Sequence, residues 1–149
     1  MRMTSEQREA LTNDPKRFLS QGEIIRRRIA AKQLRIIGWR SYAESITSVL
    51  DHAGDRHGSS GRGRLEAAVM MITELEEEIA EEIAELVRAE RVIQRVITKT
   101  RIDEKSRAIL ELRHLNGYDW EKIAEEVNAH KDWCRKLYRS ALEQVTAVV

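Results

Sequence analysis

Apolar residues recur along most of the chain at alternating spacings of three and four. The first series comprises Ile25, Ile29, Ile36, Trp39, Ala43, Ile46 and Leu50, with Lys32 as its one polar member. The second series comprises Ile72, Leu75, Ile79, Ile83, Leu86, Ile93 and Val96. Such spacing, held over several heptads, is typical of long helices that pair along an apolar stripe, as in a coiled coil. The pattern therefore predicts two long helices.

The segment between these helices, residues 51–63, holds four glycines and two serines and predicts a loop. The helices differ in charge, since residues 1–50 carry ten Lys and Arg against five Asp and Glu, and residues 51–100 carry seven against eleven. A basic helix, a loop and an acidic helix favour an antiparallel hairpin over residues 23–99, with complementary charges at its edges. The sequence leaves open whether the two stripes close on each other or on a second copy of the chain.

Shorter elements are predicted on either side of the hairpin. Residues 1–22 form an N-terminal arm or short helix, in which Asp14 caps a helix and Pro15 occupies its first position. Residues 100–149 hold short helices, with a stop at Asn116-Gly117 and a new cap at Asp119. Apolar residues make up 42% of the chain, aromatic residues only 5%, and there is one proline, so the predicted fold class is all-α.

The spacing of small and apolar residues within 106–142 fits a helix-turn-helix. With Trp120 as the first position of the usual unit, the positions that pack the helices and form the turn are Ile123, Ala124, Val127, Asn128, Ala129, Cys134 and Leu137. A small residue such as Ala124 lets the second helix approach closely. Asn128 suits the turn because asparagine adopts the left-handed conformation more readily than most residues. Residues 100–149 are therefore interpreted as a helix-turn-helix DNA-binding domain.

The face of the second helix that points away from this core is mostly cationic. Its residues are His130, Lys131, Asp132, Arg135, Lys136 and Arg139. In a helix-turn-helix this face enters the major groove. Arg135 and Lys136 are the predicted base readers, because bidentate pairing of arginine with guanine is the commonest specific contact. Lys131 and Arg139 are expected on phosphates, and Asp132 either accepts a hydrogen bond from cytosine or caps the helix.

The C-terminal residues resemble region four of bacterial sigma factors, which binds the −35 promoter element. The resemblance rests on the leucine-rich residues 107–118, on Trp120-Glu-Lys-Ile-Ala and on the closing Arg139-Ser-Ala-Leu. More of the chain, about residues 14–145, is similar to phage- and prophage-encoded late transcription regulators of the RinA/ArpU type, through Asp14-Pro-Lys-Arg-Phe-Leu-Ser and Gly58-Ser-Ser. That resemblance implies a helical coiled-coil N-terminal part, a Gly-Ser loop, a sigma-like C-terminal domain and control of phage late genes.

The chain departs from the sigma-factor pattern at two points. It has no segment matching the one with which sigma factors bind the −10 element, so it is not a complete sigma factor. His130 stands where many relatives carry serine or another small capping residue. This difference leaves the first residue of the second helix open.

Other candidate chemistry is weaker. His52 and His57 lie in the loop beside two aspartates, but a glycine-rich loop is a poor metal cage and further ligands are not visible. Residues 58–63 could bind an anion at a helix start, yet they lack the preceding strand and the Gly-Lys-Ser ending, which favours a hinge. Cys134 is expected to pack in the core rather than react. Glutamates 76–82 are interpreted as solvated charge, so no catalytic residue, no metal and no cofactor is predicted.

These observations predict a cytoplasmic transcription regulator that binds double-stranded DNA sequence-specifically. No stretch reaches the ~18 uncharged apolar residues of a membrane helix, and a single cysteine suits a reducing compartment. A homodimer or higher homo-oligomer is expected because most such regulators span two half-sites; the coiled-coil part either dimerises or contacts RNA polymerase. Two other functions fit the same elements: a DNA-packaging recognition subunit like that of phage terminases, and a polymerase-binding module that does not bind DNA. The plainest alternative is a helical bundle whose cations are only a solvated face.

Overall fold

The computed structural model describes residues 2–53 and 58–146, without the side chains of residues 52, 53 and 58–60. The prediction of an all-α chain is confirmed, since these residues form helices and no strand. The helices are α1 (Ser5–Asn13), α2 (Pro15–Leu19), α3 (Gln21–Ala53), α4 (Gly58–Lys99), α5 (Glu104–His114), α6 (Trp120–Val127) and α7 (Lys131–Val145). In the part of the chain that the structure describes, no helix is both long and apolar enough to cross a membrane.

The described chain divides into two compact units. The terminal unit holds the residues up to Ile25 together with those from Leu86 onward, and the hairpin unit is Arg26–Glu85. The predicted boundaries, which separated 1–22, 23–99 and 100–149, do not coincide with this division. The reason is that the last turns of α4 pack with the N-terminal helices and the C-terminal helices in one core.

The core of the terminal unit is built from both ends of the chain. Leu11, Phe18 and Leu19 come from α1 and α2 and are almost fully buried. Ile93, Val96 and Ile97 come from α4, and the remainder from α5, α6 and α7. The sequence expectation at Asp14 is confirmed, since its carboxylate accepts a hydrogen bond from Arg17 N at 3.1 Å and Pro15 begins α2. The helix α1 was not predicted; Thr4 and Gln7 cap it reciprocally, a local signal that the sequence carried.

The hairpin unit pairs α3 and α4 antiparallel within one chain, which settles the question that the sequence left open. The predicted charge complementarity is present at the edges, where Arg28 lies 3.4 Å from Glu85 and Arg40 lies 3.3 Å from Glu76. These exposed pairs contribute little to stability, about 0.2–1 kcal/mol each. They instead favour one register of α3 against α4, because both pairs fit the same antiparallel alignment. The stripe predicted on α3 is the face that the structure buries.

One position of the stripe predicted on α4 is wrong. Ile83 is 48% exposed, and the neighbouring Glu82 occupies the inner position with a side chain only 12% exposed. Lys32, the one polar residue in the α3 stripe, lies opposite and donates to Glu82 Oε1 at 2.7 Å, with Glu78 Oε2 at 3.2 Å. The hydrogen bond to Glu82, with smaller effects of Glu78, raises the pKa of Lys32. A partly buried ion pair therefore interrupts the apolar interface, and it accounts for the inward position of Glu82 in place of Ile83.

The loop predicted over residues 51–63 is also shorter than expected. Helix α3 continues to Ala53 and α4 begins at Gly58, while residues 54–57 lie outside the described residues. Gly61 explains part of the difference between the predicted loop and the observed helix. It is buried, and a Cβ built on it would lie only 2.6 Å from Leu50 Cδ2. A side chain at this position would require Leu50 to shift, so Gly61 fits the close contact between α3 and α4 inside a helix.

Candidate nucleic-acid interface

The three C-terminal helices begin at capping residues that the sequence supplies. Asp103 accepts from Ser106 N at 2.7 Å and starts α5, and Asp119 accepts from Lys122 N at 2.8 Å and starts α6. The hydrogen bonds from Ser106 lower the pKa of Asp103, so its carboxylate stays ionised at neutral pH. Gly117 has a positive φ of 71° between α5 and α6, as expected for the predicted stop. Local chemistry thus fixes where each helix begins.

The connection between α6 and α7 is the three-residue segment 128–130. Asn128 has φ 53° and ψ 52°, the left-handed conformation that the sequence predicted for this position. Its N–H bonds to the carbonyls of Ala124 and Glu125, and Ala129 N bonds to Ala124 O at 3.1 Å, so the last turn of α6 is closed. His130 then caps α7, because its Nδ1 accepts from Asp132 N at 3.1 Å. The first residue of α7, which the sequence left open, is therefore Lys131.

Helices α5, α6 and α7 pack against one another, and α2 packs on α7. Ile123 and Cys134 are fully buried where α6 and α7 meet, and Ala124, Val127 and Leu137 are partly buried against the same core. The residues proposed from their spacing as packing positions thus do lie inward, while Asn128 is exposed at the turn. Burial raises the pKa of the Cys134 thiol, which fits a packing residue.

Beneath α7 lies a polar contact that the sequence did not indicate. His114 is 2% exposed, and its Nε2 lies 2.8 Å from the hydroxyl of Tyr138. Burial, with the charges of Arg113 and Lys16, lowers the pKa of His114 to about 4, and burial raises the pKa of Tyr138 to about 12. Both groups are therefore neutral near pH 7, and the pair acts as a fixed hydrogen bond between α5 and α7.

Trp120 connects this pair to the surface of α7. Its ring packs edge-on against Tyr138 with centroids 5.0 Å apart. The guanidinium of Arg113 lies 5.1 Å from the Trp120 centroid, and that of Arg135 lies 5.9 Å from it. Cations near a tryptophan face are attracted by its quadrupole. The ring thus forms part of the support of Arg135.

The proposed interface residues of α7 fall into two groups. Asp132, Lys136 and Arg139 are exposed at spacings of four and three and share one face of the helix. Lys131 and Arg135 are half-buried at its flank, and His130 at the turn is exposed. The structure therefore brings all six together at the turn and along the first turns of α7. It separates an outward row, formed by Asp132, Lys136 and Arg139, from the flanking cations Lys131 and Arg135. The sequence analysis did not make this distinction.

Arg135 differs from the other cations because its guanidinium is already oriented. Its Nη1 lies 3.4 Å from Asp132 Oδ1, one helical turn away, in addition to the contact with Trp120. An oriented guanidinium loses less side-chain entropy when it binds a planar acceptor pair. Asp132 thus positions Arg135, a role that was not among those predicted for it.

Trp133 is the residue that the sequence interpretation missed. It was not among the predicted interface residues, but it is 53% exposed beside Asp132 in the first turn of α7. Its position gave the signal: helical spacing places it about 100° around α7 from the buried Cys134, at the flank of the inward face. A large exposed aromatic ring offers an apolar contact at this surface.

The weaker candidates gain nothing from the structure. His57 and the side chain of His52 lie outside the described residues. Among the residues that are described, no group of three or more His, Cys, Asp or Glu is arranged to hold a metal ion. Residues 58–63 are the first turns of α4.

Comparison of the chain with protein-family models, with curated proteins and with solved structures finds no match. The resemblance to sigma-factor region four and to RinA/ArpU-type regulators therefore stays a prediction.

Proposed function

We propose that the protein is a sequence-specific DNA-binding regulator in which α6, the segment 128–130 and α7 act as a helix-turn-helix. The observation that carries the proposal is the pairing of two short helices across a left-handed Asn128, with buried Ile123 and Cys134 between them. The outward row on α7, together with the flanking Arg135, then corresponds to the face that enters the major groove. The resemblance to region four supports the same proposal and suggests a promoter element as the target.

Within this proposal Arg135 and Lys136 read bases. Arg135 is oriented by Asp132, and Lys136 is exposed in the second turn of α7. Arg139 and Lys131 contact phosphates, which position the protein without reading sequence. Trp133 supplies an apolar contact of the kind that the thymine methyl group accepts.

The test is selection of duplexes from a random pool, followed by binding assays with single variants. Arg135→Ala and Lys136→Ala should each relax the preference at one base pair, at a cost of about 1–3 kcal/mol for the selected sequence. Arg8→Ala is the matched control, because it removes an exposed cation from α1 in the same unit and should leave base preference unchanged. A pool from which no sequence is enriched would refute sequence-specific binding. Absence of salt-dependent affinity would refute DNA binding altogether.

We further propose that two copies associate through the hairpin unit. The side of α3 that faces away from α4 is exposed and uncharged over five turns. Its residues are Ala30, Ala31, Leu34, Ile37, Gly38, Ser41, Tyr42, Ser45 and Val49. Leu34 is 69% exposed and Ile37 61%, and on α4 Val69 and Ile83 are also about half-exposed. A helix with a second apolar face normally has a second partner.

Charge favours a second copy of the chain as that partner. Residues 26–53 carry six Lys and Arg against two Asp and Glu, and residues 65–85 carry eight Glu and no Lys or Arg. A two-fold axis can place the basic helix of one hairpin against the acidic helix of the other, which makes the surface self-complementary. The uncharged face is about 30 Å long over its 20 residues, so a second helix can pack along it over about five turns.

Leu34→Glu should shift the protein toward monomer in sedimentation equilibrium, because it places a charge in this contact. Gln33→Glu is the control, since it adds the same charge at the next exposed position, off the uncharged face. A wild-type monomer at all concentrations would exclude self-association, and a large ring would favour the DNA-packaging alternative instead of a dimer.

A further inference from the structure

The outer surface of α4 changes from acidic to basic along its length. Residues 65–87 hold eight Glu and no Lys or Arg, whereas residues 88–99 hold four Lys and Arg and one Glu. The basic part belongs to the terminal unit, the same unit that contains α7. The inner positions of these turns, Ile93, Val96 and Ile97, are buried in the core, so the cations lie on the opposite side.

A groove of about 390 Å³ runs along these turns, and Arg2 and Met3, which precede α1, form one of its walls. Its cationic residues are Arg2, Arg91, Arg95 and Lys99, and no Asp or Glu lines it. Met3 is partly buried against the core of the unit. Because Met3 packs on this core, the neighbouring Arg2 is held beside α4.

We propose that this groove binds the phosphate backbone of duplex DNA, outside the contact made by α7. Arg91, Arg95 and Lys99 follow one another at intervals of one turn, about 6 Å along the helix axis. A row of cations at that interval suits a line of phosphates better than a single compact anion. Gln94 and Thr98 also line the groove, and such neutral donors commonly contact phosphate oxygens.

The groove also compensates for the zero net charge of residues 101–149, which include the proposed reading helix. Residues 101–149 carry nine Lys and Arg against nine Asp and Glu, so their net charge supplies no general attraction to DNA. Most DNA affinity comes from neutralised phosphates and released counterions. Cations at the end of α4 supply that attraction from within the same compact unit.

This inference rests on the proposed function, so the experiment separates the two. The affinity of Arg91→Gln/Lys99→Gln is measured by fluorescence anisotropy over a salt series, on the selected duplex and on an unrelated duplex. Each lost phosphate contact should lower the slope of log affinity against log salt by about 0.9 and the affinity in 0.1 M salt by about eightfold. The two substitutions together should therefore weaken binding to both duplexes by roughly 60-fold, with base preference unchanged.

The matched control is Arg8→Gln/Lys105→Gln, which removes two exposed cations of the same unit that do not line the groove. Arg2→Gln is a second test variant that lies outside every helix, so it should reduce the slope without affecting folding. Lys99 lies in the last turn of α4, where a cation also stabilises the helix dipole; thermal melts separate that effect from DNA affinity.

If the groove variants match the control while wild type binds the selected duplex, the groove proposal is refuted and the reading-helix proposal stands. If Arg135→Ala loses base preference and the groove variants lose affinity for every duplex, the reading-helix proposal and the groove proposal are both supported. If wild type binds no DNA, both are refuted.

Discussion

The buried histidine beneath α7 makes stability depend on pH in a window that the structure defines. The pKa of His114 is lowered from 6.5 to about 4 by burial and by the charges of Arg113 and Lys16. As the pH falls, the unfolded chain takes up the proton first, so the stability that the neutral imidazole contributes is complete above pH 6.5 and is lost toward pH 4. The loss from this one group, relative to pH 7, should reach about 2 kcal/mol at pH 5 and about 3 kcal/mol at pH 4.

The perturbation that isolates this effect is His114→Gln, because glutamine retains polar atoms near the Tyr138 hydroxyl but does not titrate. Urea unfolding of both proteins is followed at several values between pH 7 and pH 4. The variant can be less stable at pH 7, since it loses the stacking on Tyr138, but its stability should decline less with acid. Parallel curves for wild type and His114→Gln would refute the reasoning, as would a His114 NMR titration midpoint near 6.5.

Three further predictions concern single contacts. Asn128→Ala should cost about 1 kcal/mol in urea unfolding because alanine is strained in the left-handed conformation, whereas Asn128→Gly should change stability by only a few tenths; equal losses would contradict this. Lys32→Leu should lower the melting temperature because it leaves Glu82 unpaired, its Oε2 already lacking a partner, and Lys32→Leu/Glu82→Leu should recover it; a double variant no better than the single one would contradict the pair's role. Cys134 should react with a thiol reagent only after denaturation, and rapid reaction in the folded protein would show that α7 opens.

The helix ends of the terminal unit could be predicted from sequence because short-range chemistry determines them. An aspartate that accepts from a backbone N–H three residues later acts within one turn, as at Asp119. The left-handed Asn128 is equally local, since it depends on one residue's steric freedom. The cationic face of α7 follows from helical periodicity once its inner residues are known. These parts of the candidate site needed no tertiary information.

The inner position of α4 could not be read from its periodicity. The interval of seven positions from Ile79 to Leu86 can be divided as three and four or as four and three, and both divisions keep the heptad spacing. Apolarity favoured Ile83, whereas the structure places Glu82 inside because Lys32 lies opposite. A stripe on one helix is therefore ambiguous until the polar residue of its partner is matched. The His114–Tyr138 contact was missed for a similar reason, as it joins residues 24 positions apart.

The exchange of Glu82 for Ile83 connects the register of the hairpin with its proposed partner. With Glu82 turned inward against Lys32, Ile83 is released to the surface, where Val69 is also about half-exposed. If Ile83 were inside, Glu82 would be outside, and the partly buried Lys32 would lack its closest partner. This ion pair thus fits the same alignment of α3 with α4 as the pairs at the edges, and it adds an apolar residue to the surface available for a second copy. The polar residue within the apolar series, which looked like a defect in the sequence pattern, is the feature that specifies the arrangement.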